Sequence, residues 1–124
     1  MIVRELQPQR IMTLDKDIKV YDFSKSFIVK RKRRMFMEFE GSPFTAPEAL
    51  SEEGYSEEVD VWMCGVLFYY FLTSRFPFTA LNSEEEYIED INKRCTKGYK
   101  LPLNLPKHEC LNPIAENSFL EQLF

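Results

Sequence analysis

The densest run of a single chemistry in these 124 residues is Lys30-Arg31-Lys32-Arg33-Arg34, five cations in a row. Such a block could attract nucleic acid, a membrane surface or an importin. It carries no interleaved aromatics, so the plainer reading is a solvated charged loop. Other chemistries are ruled out by residue type and spacing. The four glycines, at 41, 54, 65 and 98, cannot build a G-x-G-x-x-G or Walker-type phosphate cradle. His108 is the single histidine, which leaves no pair for a metal or a charge relay. Cys64, Cys95 and Cys110 are odd in number and lack a C-x-x-C spacing, a pattern of a reducing compartment rather than a disulfide framework.

The elements that must position any site can be read from patterning. Length predicts one small domain, and 44% hydrophobic with 29% charged residues argues against disorder throughout. The net charge of −4 conceals a contrast: residues 1–34 sum to +6 and residues 35–124 to −10. Met1-Ile-Val-Arg-Glu lacks the features of a secretory signal, so an intracellular protein is expected, cytoplasmic or nuclear. The longest uncharged run, Val61 to Ser74, has 14 residues, against about 20 needed to cross a bilayer.

Ile11 to Leu14 and Ile18 to Tyr21 are β-prone runs joined by Asp15-Lys16-Asp17, which predicts a hairpin with a three-residue connection. Phe27 to Val29 could add a third short strand, with a long loop over 30–45 after it. Pro47 opens a short helix that ends near Gly54. Ser56 is placed to cap a helix over about 57–73, apolar nearly all round and therefore expected at the centre of a core. Ser83 followed by three glutamates starts a further helix over about 84–97, stopped by Gly98. Residues 101–110 read as extended loop and about 113–124 as a last helix. The expected fold class is mainly α, with a small β-ribbon at the N-terminal end.

Several islands within this pattern resemble the C-terminal lobe of the eukaryotic protein kinases. Asp22-Phe23-Ser24, straight after the hairpin, resembles the D-F-G motif. Gly41 to Glu48 is similar to G-T-P-x-Y-x-A-P-E, one residue shorter. Tyr55-Ser56-Glu57-Glu58-Val59-Asp60-Val61-Trp62-Met63-Cys64-Gly65-Val66 resembles Y-S-x-K-x-D-V-W-S-x-G-V, and Arg75-Phe76-Pro77-Phe78 the G-x-x-P-F that follows. Their order and separations make coincidence a poor explanation. The resemblance implies a partial kinase domain over 1–124, a truncated C-lobe with a catalytic loop at 3–12 and an activation segment at 22–48. It finds no counterpart for the N-terminal lobe. The Gly41 to Glu48 region points to the Ser/Thr branch.

In that register Val3 to Met12 matches H-R-D-L-K-P-E-N-I-L at Arg4, Leu6, Pro8 and Ile11 and departs where chemistry happens. Glu5 stands for the catalytic Asp, Gln7 for the phosphate-steadying Lys and Arg10 for the magnesium-binding Asn. Glu5 keeps a carboxylate but moves it by about 1.5 Å, and a misplacement of roughly 1 Å can cost on the order of a hundredfold in rate. Arg10 would repel a dication at ~4 Å by about 4 kcal/mol per unit charge product at an effective dielectric near 20. Asp22 remains a possible Mg²⁺ ligand, and Ser24 removes glycine's freedom at the loop's pivot.

Other matched positions carry structural or regulatory expectations. Asp60 should accept backbone N–H bonds from Val3 and Arg4, while Trp62 and Gly65 serve packing. Arg4 matches a phosphate-clamping Arg, with Ser24, Ser26, Ser42 and Thr45 as the loop's hydroxyls, and Ser42 matches a substrate-contacting Thr. Glu48 pairs in the family with a distant Arg and is expected exposed or mispaired here. Cys64 reads as helix packing, His108 as a loop residue and Met35-Phe36-Met37 as loop anchoring. Two activities follow: a pseudokinase with no cofactor that acts through a protein partner such as a kinase N-lobe or another kinase, or a Ser/Thr kinase using ATP and Mg²⁺. Neither calls for a membrane, and nucleic-acid binding through the basic block is a third and weaker idea.

Overall fold

The hairpin is where chain order first turns into proximity. In the computed structural model, which describes residues 1–29, 33–37, 41–78 and 83–96, β1 (Ile11–Leu14) pairs antiparallel with β2 (Asp17–Val20). Leu14 faces Asp17, so the connection has two residues, Asp15 and Lys16, rather than the expected three. The tighter turn is possible because Asp15 takes the left-handed region at φ 57°, which a short polar side chain tolerates better than most. The third strand expected at Phe27–Val29 reduces to one antiparallel bridge, Ile2 with Phe27, closed by N–H···O bonds of 2.8 and 2.9 Å. Phe27 and Val29 turn inward, Val29 onto the core around Ile2, while Ile28 is 92% exposed.

Pro47–Leu50 forms one 3-10 turn, with Pro47 in its first position. Met35 then bridges Tyr55 through bonds of 2.7 and 3.0 Å, and Gly54 sits beside that bridge at φ 76°. A Cβ on Gly54 would lie 2.7 Å from the Met35 carbonyl oxygen, so both the dihedral and the close approach require glycine. Of the Met35-Phe36-Met37 cluster only Met35 anchors, since Phe36 and Met37 are exposed.

Helix α1 (Glu58–Thr73) starts without the expected serine cap. Glu57 occupies the capping position with helical dihedrals, which leaves Ser56 a residue too early to reach the first free N–H groups. The helix ends at Ser74, in the left-handed region, whose N–H bonds the Tyr70 carbonyl at 2.7 Å. Val59, Met63, Val66, Tyr69 and Leu72 are buried along one side. Val61, Cys64 and Phe71 are exposed, so the helix is not enclosed on all sides among the described residues, and Cys64 does not pack as expected.

Helix α2 (Glu84–Thr96) is capped as expected: the Ser83 hydroxyl accepts the Glu86 N–H at 3.1 Å. Tyr87 and Ile91 bury one stripe against Phe78. Trp62 of α1 touches three core clusters among the described residues, one around Ile2 and Tyr55, one around Leu6 and Met63, and this last one. Its ring stacks on Phe78 at 5.4 Å. The described chain is thus mainly α with one two-stranded ribbon, and no described helix is long and apolar enough to cross a membrane. Lys30 to Lys32, Gly98, the 101–110 loop with His108 and Cys110, and the helix expected at 113–124 lie outside the described residues.

Candidate functional site

Two neighbouring stretches, Val3–Arg10 and Tyr21–Ser26, meet at the open end of the hairpin. The first is pinned to α1. Asp60, in the first turn of that helix, accepts the Val3 N–H on one carboxylate oxygen at 2.7 Å and the Arg4 N–H on the other at 2.9 Å. These bonds hold Arg4 at φ 67°, a conformation that costs a non-glycine residue roughly 1–3 kcal/mol unless its surroundings enforce it. Buried Arg4 spreads its guanidinium over the rings of Phe27, at 5.3 Å, and Tyr55, at 5.7 Å. Burial raises the Tyr55 phenol above its ordinary range, and the charge of Arg4 opposes that rise.

From Arg4 onward the side chains alternate. Leu6 turns inward onto Phe44, Met63, Val66 and Leu67. Glu5 and Gln7 turn outward to line a cavity of about 420 Å³, with Ser24, Lys25 and Ser42 on its other walls. Pro8–Arg10 makes a single 3-10 turn that brings the chain into β1, and the Arg10 carbonyl accepts the Tyr21 N–H at 3.0 Å. Tyr21 adds a bond from its hydroxyl to the Gln9 carbonyl. Arg10 and Tyr21 therefore face each other across the base of the ribbon, and Asp22 is the next residue along.

Asp22 adopts φ 61°, and its Oδ1 accepts the Ser24 N–H at 3.1 Å. Its Oδ2 pairs with Nη1 of Arg10. Nη2 of the same guanidinium reaches Oε2 of Glu5 at 2.6 Å. Arg10 thus bridges two carboxylates that are 12 and 5 positions away in the chain, and all three side chains keep partial contact with solvent. Sequence reasoning named each member and missed the bridge, because it depends on hairpin register rather than on spacing.

The remaining expected positions scatter around this corner. Ser42 and Thr45 bond each other: the Ser42 N–H donates to the Thr45 hydroxyl at 2.9 Å, and the two hydroxyls lie 3.2 Å apart. Thr45 is fully buried, Ser24 is exposed, and the Ser26 hydroxyl donates to the Val3 carbonyl at 3.1 Å. Glu48 is half-buried and makes no ion pair among the described residues. Gly65 is buried in α1. In the basic block, Arg34 donates to the Glu53 and Gly54 carbonyls at 3.0 and 3.3 Å.

A contact that sequence reasoning did not find is Tyr87 of α2. Its hydroxyl donates to the Thr45 carbonyl at 3.0 Å and lies 3.3 Å from that of Pro43, which clamps the 43–45 segment. Helical spacing identified Tyr87 as apolar-face material but could not reveal where its hydroxyl ends. Burial, followed by the charge of Asp90, pushes that phenol far above its ordinary range.

The family model described as protein kinase domain matches residues 1–123, and the chain belongs to this family. Among curated proteins it is similar to sperm motility kinase 2A of Mus musculus, 34% identical over 106 residues that make up 82% of this chain and 20% of that protein. Serine/threonine-protein kinase 17A of Oryctolagus cuniculus is 38% identical over 89 residues, 68% of this chain and 22% of its own length. Calcium/calmodulin-dependent protein kinase type II alpha chain of Drosophila melanogaster is 31% identical over 125 residues, 97% of this chain and 22% of its own length. The chain spans about a fifth of the length of these relatives.

Proposed function

We propose that this member of the protein kinase family is a pseudokinase, a chain that transfers no phosphate and acts by binding another protein. In this reading residues 1–124 correspond to a kinase C-terminal lobe, with Glu5, Gln7 and Arg10 at the positions of base, phosphate-steadying cation and metal-binding amide. The observation that carries it is the 2.6 Å ion pair between Glu5 and Arg10. A general base must offer its oxygen to the substrate hydroxyl at about 2.6–3.2 Å. Here that carboxylate already holds a guanidinium in place. Gln7 adds a hydrogen-bond donor and no charge, and phosphoryl transfer depends almost wholly on positioning and electrostatics.

The binding half of the reading draws on what the chain spends its order on. Asp60 fixes the loop, Tyr87 fixes the 43–45 segment, and Val61, Phe71 and Ile28 present apolar surface among the described residues. A Ser/Thr kinase remains the second reading, favoured by the cavity that Glu5, Gln7 and Ser24 line.

The test is transfer of labelled phosphate from ATP, with Mg²⁺ or Mn²⁺, to a generic basic protein. The expected result is incorporation no greater than that of an Asp22→Ala control. Incorporation that disappears in Asp22→Ala would establish the kinase instead.

A further inference from the structure

We propose that the Arg10 guanidinium takes the place of the divalent cation, so that the Glu5–Asp22 corner is held by an internal charge and is closed to metal. The inference takes Glu5 and Asp22 as the family's chemical positions and in that respect rests on the reading above. The family implies Mg²⁺ at this corner, and the residues present do not fit it. Mg²⁺ asks for near-octahedral oxygen donors at about 2.0–2.1 Å, usually one or two carboxylates with waters and phosphates. Asp22 has one oxygen on the Ser24 N–H and the other on Arg10. Glu5 has Oε2 on the same guanidinium.

Arg10 cannot easily leave. Its N–H bonds the Gln7 carbonyl at 2.9 Å, its carbonyl bonds Tyr21, and the next residue, Ile11, is in register with Val20. The backbone that carries the guanidinium is thus fixed on both sides. Guanidinium stays charged at any workable pH, and its planar fork can serve two carboxylates at once, which a lysine ammonium does less well. Solvent contact at the corner shows that ions can approach it, so charge and occupied oxygens, not access, close the site. The bridge also supplies what a shared cation would: a link between the catalytic-loop segment and the Asp22 turn.

The experiment is titration of the protein with Mn²⁺, followed by the ion's electron paramagnetic resonance, for the wild type, Asp22→Asn, Arg10→Asn and Arg10→Gln. The wild type is expected to bind no more Mn²⁺ than Asp22→Asn. In Arg10→Asn and Arg10→Gln affinity rises by roughly tenfold or more, the scale on which groups around a ligand set metal affinity, and adding Asp22→Asn abolishes the gain. Wild-type binding that Asp22→Asn removes would overturn the proposal, as would folded Arg10 variants that gain nothing. If the Arg10 variants do not fold, the wild-type comparison still decides it. Phosphate transfer without Asp22-dependent Mn²⁺ binding would defeat the pseudokinase reading and leave this one standing; metal binding without transfer would do the reverse.

Discussion

The two halves of the Val3–Arg10 loop are held by different physics. Val3 to Leu6 is fastened by buried or half-buried bonds: two backbone donors on one carboxylate, an arginine between two aromatic rings, a leucine in the core. Gln7 to Arg10 leads into a corner of ion pairs with Glu5 and Asp22, where solvent screens the charges. The contrast teaches that what holds this loop in place is separable from the charges it displays. The frame, Val3 to Leu6, combines a buried arginine and leucine with two bonds to one carboxylate, so together these are expected to contribute strongly to stability. The corner, made of partly exposed ion pairs, is expected to contribute little to stability and to tolerate a change of charge.

The frame can be broken most severely at Asp60. Asp60→Ala leaves the Val3 and Arg4 N–H groups without their acceptor, and hydrogen bonds to charged groups contribute about 1.5–3 kcal/mol each. A loss of roughly 3 kcal/mol, read by urea denaturation, is expected. Asp60→Asn should recover part of it.

Gly54→Ala comes next. The new Cβ would press on the Met35 carbonyl oxygen at 2.7 Å and on the Phe36 ring at 2.9 Å, in a backbone at φ 76°. A loss of about 2 kcal/mol is expected, since that conformation disfavours a side chain and the carbonyl cannot yield without breaking its bridge to Tyr55.

Tyr87→Phe removes the bonds to Thr45 and Pro43 for about 1 kcal/mol. Its pH dependence has a definite sign. The folded phenol is raised above its ordinary value of 10.0, so unfolded chains ionise first as pH rises. The contribution is complete below that ordinary value and is lost as pH climbs toward the folded one. The gap in stability between the wild type and Tyr87→Phe should therefore hold steady up to about pH 9 and narrow above about pH 10 in paired denaturation curves.

The smallest effect on stability belongs to the corner. Arg10→Gln should cost less than about 1 kcal/mol, because partly exposed ion pairs of this kind contribute about 0–1 kcal/mol. A loss as large as that of Asp60→Ala would erase the distinction between frame and corner.

How much of this was legible beforehand follows from the range of each interaction. The hairpin, α1 and α2 are local patterns of apolar period and polar breaks, and their places could be read with errors of a residue or so, as at the Asp15-Lys16 turn. The cap at Ser56 failed because entry into α1 is set by the Met35–Tyr55 bridge and the turn at Gly54, contacts that span some twenty positions. The outward face of α1 could not be read either, since composition reports that Val61, Cys64 and Phe71 are apolar or nearly so and not what lies beside them.

For the site, residue types alone determined which chemistry is available: a carboxylate at Glu5, no cation at Gln7, a permanent charge at Arg10 and a second carboxylate at Asp22. Those are covalent facts that no fold can alter. Tertiary structure decided which of these charges meet. Strand register sets Arg10 opposite Tyr21, the left-handed turn at Asp22 swings its carboxylate back, and Asp60 positions the start of the loop so that Glu5 reaches the same guanidinium. An ion pair acts over a few ångströms, and only the folded backbone brings groups so far apart in the chain within that distance.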